Sequence, residues 1–316
     1  MKEINTIKKV VTAFCLLSSL QMSAGPLDYL LEEKKEVILD KLQKISEEDL
    51  WDIFLQNQAE LCFETDFHLM KSTDWWKKAQ SVLEIQCHNG TSLYKLSQQA
   101  PDKTFLGIEK ESFLLEKAKE RYSHDHLSFK QGDPEIFDTT LVNTSDLLVV
   151  RLTLSHLKNP WVALENAWHY LLPNGYLFII DVCEQGKNTS HPLPILSKAW
   201  ALLDEVGQKT EEINRNITDE ILNQFENKGS YLSQRYTLIF KSIDLKGNVL
   251  YELPYTLGDT HRKIFFNHSL LFLTILDRFY DIPVDLNLAY DELKLYVEDQ
   301  EAWTIPPVNY LVLKKI

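Results

Sequence analysis

The chain has 316 residues, a formal charge of −13 and a pI near 5.2. With 44% hydrophobic and 25% charged residues, it can bury a full core without disulfides or metals, and its composition carries no sign of disorder. The acidic balance repels a polyphosphate backbone, and no run of Lys or Arg exceeds a pair such as Arg262-Lys263, which argues against a nucleic-acid partner. Cys15, Cys62, Cys87 and Cys183 are far apart and form no CxxC or Cys/His ligand spacing. No metal site is expected, and buried free thiols in a reducing compartment account for them.

At the N-terminus, Lys2, Lys8 and Lys9 precede an apolar run from Val10 to Leu20, and small residues Ser23, Ala24 and Gly25 follow. An amphipathic first helix in a cytoplasmic protein is the expectation. A cleaved export signal is the alternative, weakened by Met22, which stands where a small residue is wanted before a cut after Ala24. No other stretch approaches the ~18 apolar residues that span a membrane, so no stable membrane insertion is expected. Leu27 to Lys78 reads as helical, with Leu30, Val37, Ile38, Leu42 and Ile45 at helical spacing, then Leu50, Ile53, Phe54, Leu61 and Phe67. Ser46 followed by Glu48 and Asp49 marks a capped helix start.

From Ser81 the period changes. Apolar runs at Val82 to Ile85, Thr104 to Ile108, Leu127 to Lys130, Asp146 to Val150 and Tyr176 to Val182 alternate with helical patterns at Thr91 to Gln99, Ser112 to Tyr122 and Trp161 to Leu171. Continuous apolar runs separated by helices predict buried parallel strands with right-handed crossovers, hence an α/β doubly wound sheet. Beyond Val182, helices are expected near Ile195 to Val206, Glu211 to Asn227, Phe265 to Tyr280 and Leu286 to Glu298. Strands are expected at Tyr231 to Ile243 and Val308 to Lys314, forming an antiparallel hairpin at one edge of the sheet. Residues 1–79 are read as a helical extension or cap, and 80–316 as one domain with an insertion after the fifth strand at about 183–229.

In such a sheet, ligands bind beyond the carboxyl ends of the strands, and the loop after the first strand lies there. That loop is Glu84-Ile85-Gln86-Cys87-His88-Asn89-Gly90. It resembles the first motif of class I S-adenosylmethionine-dependent methyltransferases, in which an acid precedes three closely spaced glycines. Only Gly90 is kept here, with Gln86 and His88 at the first two glycine positions, where a Cβ crowds close backbone approach. The run Phe105 to Arg121 resembles the second motif, and Gln131-Gly132-Asp133 matches the family's adenine-recognising acid. Ser145 to Leu157, continuing through Pro160, Trp161 and Glu165 to Leu171-Leu172-Pro173-Asn174-Gly175, is similar to the fourth strand, helix and Pro-Gly turn of many small-molecule methyltransferases.

The resemblance covers about 100 residues. It implies a Rossmann-like seven-stranded fold, S-adenosylmethionine as cofactor, and a binding site made from Glu84, Gln86, His88, Gly90, Glu109, Lys110, Asp133, Pro134 and Arg151. Glu109 is expected to accept the ribose hydroxyls and Asp133 the adenine amino group. His156, after the fourth strand, is a candidate general base, although an imidazole there is as readily structural.

The expected activity is in-line methyl transfer to a small, uncharged or cationic acceptor. This needs little protein chemistry, because the sulfonium is already an electrophile. Trp75, Trp76, Tyr251, Tyr255, Phe265 and Phe266 are expected either to line an acceptor pocket or to fill the core. The alternatives are a binding or regulatory module that has lost turnover, for which Gln86 and His88 speak, and an exported interaction protein. Dinucleotide, P-loop and nucleophile-elbow motifs do not occur.

Overall fold

The computed structural model describes residues 34–182, 188–210, 214, 216–227, 229–242, 255–256, 259–305 and 308–316. Cys15, Cys183, Tyr251 and the apolar segment before Gly25 lie outside them. Helix α1 (Lys35–Lys44) leads to α2 (Glu47–Lys71) and the short α3 (Asp74–Lys78). The chain breaks at Ile45-Ser46, where the sequence marks a helix start, and again at Ser72-Thr73, which the sequence pattern ran through. Each break is fixed by a cap: Ser46 Oγ accepts from the Asp49 amide, and Thr73 Oγ1 from the Trp76 amide.

The α/β part follows in order: β1 (Ser81–Ile85), α4 (Thr91–Gln99), β2 (Thr104–Glu109), α5 (Ser112–Tyr122), β3 (Leu127–Gln131), β4 (Ser145–Arg151), α6 (Pro160–Tyr170) and β5 (Leu171–Val182). After β6 (Asn188–Thr189) come α7 (Pro194–Thr210), α8 (Ile217–Glu226), α9 (Tyr231–Arg235), β7 (Tyr236–Lys241), β8 (Tyr255–Thr256), α10 (Asp259–Phe279), α11 (Leu286–Glu298), β9 (Trp303–Ile305) and β10 (Val308–Lys315). The main sheet has seven strands in the order β3-β2-β1-β4-β5-β10-β7. Strands β1 to β5 are parallel to their neighbours, whereas β10 runs antiparallel to both β5 and β7. The two last strands of this sheet, β7 and β10, therefore pair antiparallel as expected, with β10 between β5 and the edge strand β7.

One expected strand is shorter than its pattern. Tyr231–Arg235 is a helical turn, because Ser230 Oγ caps it by accepting from the Ser233 amide, and β7 begins only at Tyr236. Asn174 in the Pro-Asn-Gly turn adopts φ 64°, the left-handed conformation that Asn tolerates.

The alternation of strand side chains sorts the core into two faces. Leu83, Ile85, Leu148, Val150, Leu177 and Ile179 pack under α6, α8 and α9. On the other face, Val82, Leu147, Val149, Phe178, Ile180, Tyr310 and Val312 pack with Trp75, Trp76, Leu93 and Leu115. A third apolar cluster joins α1 and α2 to α7, α10 and α11 through residues such as Ile38, Phe54, Leu196, Phe266 and Leu293. The helices before the sheet and those late in the chain thus share one core.

Trp75 packs on Tyr176 and Phe178, Trp76 lies against Phe67, and Phe265 and Phe266 are buried in the helical cluster. These four aromatics fill the core. No helix among the described residues is long and apolar enough to cross a membrane.

Candidate functional site

Period-two alternation puts Glu84 of β1, Arg151 of β4 and Tyr310 of β10 on the sheet face that α2 covers. All three are buried. Arg151 Nε meets Asp66 Oδ2 of α2 at 2.9 Å, Arg151 Nη2 reaches the Gln58 carbonyl at 3.3 Å, and Tyr310 Oη donates to Asp66 Oδ1 at 2.9 Å. Burial opposes the Arg151 charge, but Asp66, Cys62 and Glu84 outweigh it and hold the guanidinium protonated. Glu84 has no such partner for one oxygen: its Oε2 is buried without a hydrogen bond. Burial pushes its pKa up to about 8, against the pull of Arg151 and with the help of Asp66 and Glu109.

The loop after β1 keeps the backbone of a glycine turn although two glycines are absent. Gln86 and His88 adopt φ 55° and 54°, and Gly90 adopts φ 78°. Gly90 is irreplaceable, because a Cβ there would lie 2.8 Å from Phe129 and 2.9 Å from Ala118. At 86 and 88 the left-handed conformation is strained for non-glycine residues, of order 1–3 kcal/mol each.

What holds the turn is Glu109, at the end of β2 and fully buried. Its Oε1 accepts from Gln86 Nε2 and the Glu111 amide, and its Oε2 from the His88 amide, all at 2.7 Å. Burial raises its pKa to about 7, while the amides of Glu111 and His88 draw it down. A second clamp comes from α2. Asp52 Oδ1 and Oδ2 receive Arg121 at 2.9 and 2.6 Å, and Asn89 donates to the Asp52 carboxylate and carbonyl at 2.9 Å.

At the end of β3, Asp133 Oδ1 accepts from the Glu135 amide at 2.9 Å, and Oδ2 is paired with Lys110 at 2.8 Å. Burial alone would raise Asp133, but the hydrogen bond from Lys110 and the Glu135 amide bring it below its ordinary value. The Pro134 carbonyl accepts from Asn166 Nδ2 at 2.8 Å, which ties this turn to α6.

Nine expected binding residues are thus located, and most of them converge. Glu84, Gln86, His88, Gly90 and Glu109 form one contiguous unit. Lys110, Asp133 and Pro134 form the adjoining turn, while Arg151 faces α2. His156 is exposed on the turn after β4, near enough that its charge acts on His88. Burial first, then Arg151 and His156, lower His88 to about 3, so it is a neutral imidazole.

Beside the turn, the buried Asp181 accepts the amides of Thr153, Leu154 and Ser155 at 3.1, 2.7 and 3.3 Å, fixing the end of β4. Sequence reasoning did not single out Asp52, Asp66, Asn57, Asp181 or His268. The one available signal was Arg151 at the end of an apolar strand, since a buried Arg requires a buried carboxylate partner. Among the described residues, no group of three His, Cys, Asp or Glu could hold a metal ion.

This strand order, with its antiparallel β10 and its acid-ended strands around a left-handed turn, defines a Rossmann-like domain of the class I methyltransferase type. A methyltransferase-domain family model matches residues 76–242, half of the chain, and the chain belongs to that family. An uncharacterized methyltransferase of Schizosaccharomyces pombe is 26% identical over 138 residues, 39% of this chain and 49% of the relative, so the match spans about half of the relative's length.

Among solved structures, the MccD protein is 14% identical with a TM-score of 0.45, covering 80% of this chain and 96% of that one. Phosphoethanolamine N-methyltransferase 2 of Haemonchus contortus, in complex with phosphomonomethylethanolamine and S-adenosylhomocysteine, is 14% identical with a TM-score of 0.45, covering 80% and 53%. The YcgJ protein of Bacillus subtilis is 15% identical with a TM-score of 0.42, covering 75% and 91%.

Proposed function

We propose that this protein is a cytosolic S-adenosylmethionine-dependent methyltransferase acting on a small-molecule acceptor, with residues 80–316 as the catalytic domain and the helices before them as a cap. The observation that carries this reading is the loop at Gln86, His88 and Gly90. It keeps three left-handed residues against a buried acid at the end of β2, a conformation maintained at the expense of strain.

The residues fit the cofactor. At its amino-acid end, the buried Glu84 Oε2 has no donor, and an ammonium group there would meet the carboxylate once Glu84 gives up its proton. Glu109 would take the ribose hydroxyls once Gln86 Nε2 yields its place, and Asp133 the adenine amino group once the half-exposed Lys110 swings away. A surface ion pair of that kind contributes about 0–1 kcal/mol. When bound, the cofactor supplies a methyl group on a sulfonium, already activated for displacement. The protein's share is alignment and exclusion of water: the Asp52-Arg121-Asn89 and Asp66-Arg151 pairs fix α2 over the turn, and Asp181 fixes the end of β4.

A second reading has its own support. Glu109 and Asp133 are both engaged by side chains of the same chain, as in a methyltransferase scaffold that binds or regulates without turnover. Titration calorimetry with S-adenosylmethionine and S-adenosylhomocysteine decides between them, with Glu109→Ala as control. Binding that the substitution removes supports the enzyme. Absence of heat and of thermal stabilisation with either ligand would favour the scaffold.

A further inference from the structure

Two polar side chains beside the Arg151 cluster have no part in the scheme above. His268 of α10 stacks on Phe54 of α2, with ring centroids 4.6 Å apart and planes at 17°. Its ring also hydrogen-bonds to the Phe54 backbone. The Nδ1 atom is buried without a partner, and in the tautomer with the proton on Nε2 the neutral ring presents Nδ1 as a bare lone pair. Burial above all, with the Arg151 charge adding to it and the Phe54 bond opposing, lowers His268 to about 4. At neutral pH the ring is therefore uncharged.

Asn57 lies one turn along α2 from Phe54, on the same side of the helix. It is fully buried, its Nδ2 donates to the Ile53 carbonyl at 2.7 Å, and its Oδ1 has no donor. Buried acceptors left bare are costly, and an ordinary core fills such positions with apolar side chains. The Arg151 guanidinium spans the two neighbourhoods: it bonds to Gln58, next to Asn57, and its charge reaches both His268 and His88.

We propose that His268 Nδ1 and Asn57 Oδ1 form the recognition pole for the methyl acceptor, and that this acceptor is a small neutral amine or hydroxyl compound whose methylated atom carries a hydrogen. Both atoms can only receive hydrogen bonds. A cation here would lie in the field of the buried Arg151 guanidinium, which argues against a cationic group at this point. The assignment rests on the methyl-transfer reading. In the step it serves, the acceptor nitrogen or oxygen donates a lone pair to the methyl carbon while the carbon–sulfur pair stays on sulfur, neutralising the sulfonium. The acceptor's proton, held in a hydrogen bond to His268 Nδ1 during the transfer, is released to solvent from the methylated product.

The test uses the full chain labelled with 15N at histidine and saturated with S-adenosylhomocysteine. It is titrated with phenol and 1-butanol, each against its donor-less counterpart, anisole and methyl propyl ether. The expected result is an upfield shift of the His268 Nδ1 resonance with the two hydroxyl probes and none with the ethers. His268→Phe, which keeps a ring against Phe54, should lose about tenfold in hydroxyl-probe affinity while retaining S-adenosylhomocysteine binding. Normal S-adenosylhomocysteine binding with no donor-specific shift, or with ethers binding as well as alcohols, would overturn the assignment alone. Failure of the wild-type chain to bind S-adenosylhomocysteine would overturn the methyl-transfer reading and the chemistry assigned to His268 with it.

Discussion

The two ends of the site are finished differently. At the ends of β2 and β3, each acid that would meet an adenosyl group already receives donors from its own chain: Glu109 from Gln86 and two amides, Asp133 from Lys110 and one amide. Between β1, β4, α2 and α10, acceptor atoms of Glu84, Gln86, Asn57 and His268 are buried and bare. The difference teaches that the departures from the glycine-rich pattern did not dismantle the turn. Gln86 replaces a missing glycine with a side chain that holds the same acid, so the adenosyl end carries an internal competitor while the other end is left open for donors.

The largest effect expected from breaking this arrangement lies in the buried pair between the two ends. Asp66→Ala leaves the Arg151 guanidinium buried without its carboxylate and should cost about 3–5 kcal/mol of stability, measured as a shift of the urea unfolding midpoint. At the adenosyl end, Glu109→Ala should weaken S-adenosylhomocysteine binding by roughly 100-fold, the value of hydrogen bonds from two hydroxyls to one carboxylate. Calorimetry at neutral pH checks it.

A pH effect follows from the raised acids. Glu84 and Glu109, at about 8 and about 7 in the fold, keep protons that the unfolded chain has already lost. The stability they contribute is complete below their ordinary values near 4.5 and is lost as the pH rises through 7 and 8. His88 and His268, at about 3 and about 4, are neutral in the fold while the unfolded chain loses its histidine protons near 6.5, so they offset part of that loss at the lower end of the range. Stability should therefore fall by roughly 1–2 kcal/mol between pH 6.5 and 8, and Glu84→Gln should flatten that fall, as read from urea curves at each pH. The smallest change is a gain: Gln86→Ala removes the competitor for Glu109 and should tighten S-adenosylhomocysteine binding by roughly five- to tenfold, the worth of one charge-assisted hydrogen bond.

Most of the sheet was legible in the sequence because parallel strands buried on both faces read as unbroken apolar runs, as at Asp146 to Val150, and because Ser46 marks a helix start whatever follows. The stretch Tyr231–Arg235 misled because five residues of mixed pattern suit a strand or a turn of helix equally. The decision rests with the Ser230 cap, a local hydrogen bond that hydrophobic periodicity does not carry. In the site, the acids at strand ends were legible by position. Their partners were not, since nearly every side of α2 is buried and nothing in the spacing of Asp52, Asn57 and Asp66 tells a buried polar residue from a solvated one. His268 was hidden for the same reason, as a polar residue within the apolar pattern of α10.

The adenosyl end turns on Glu109 as a ribose acceptor held by Gln86. The most direct test compares the affinities of S-adenosylhomocysteine and its 2′,3′-dideoxy analogue for the wild-type chain and for Gln86→Ala. The wild type should prefer the ribose form by roughly tenfold or more, and the preference should widen when Gln86 is removed. Equal affinity for the two ligands in both proteins, or binding of neither, would contradict it.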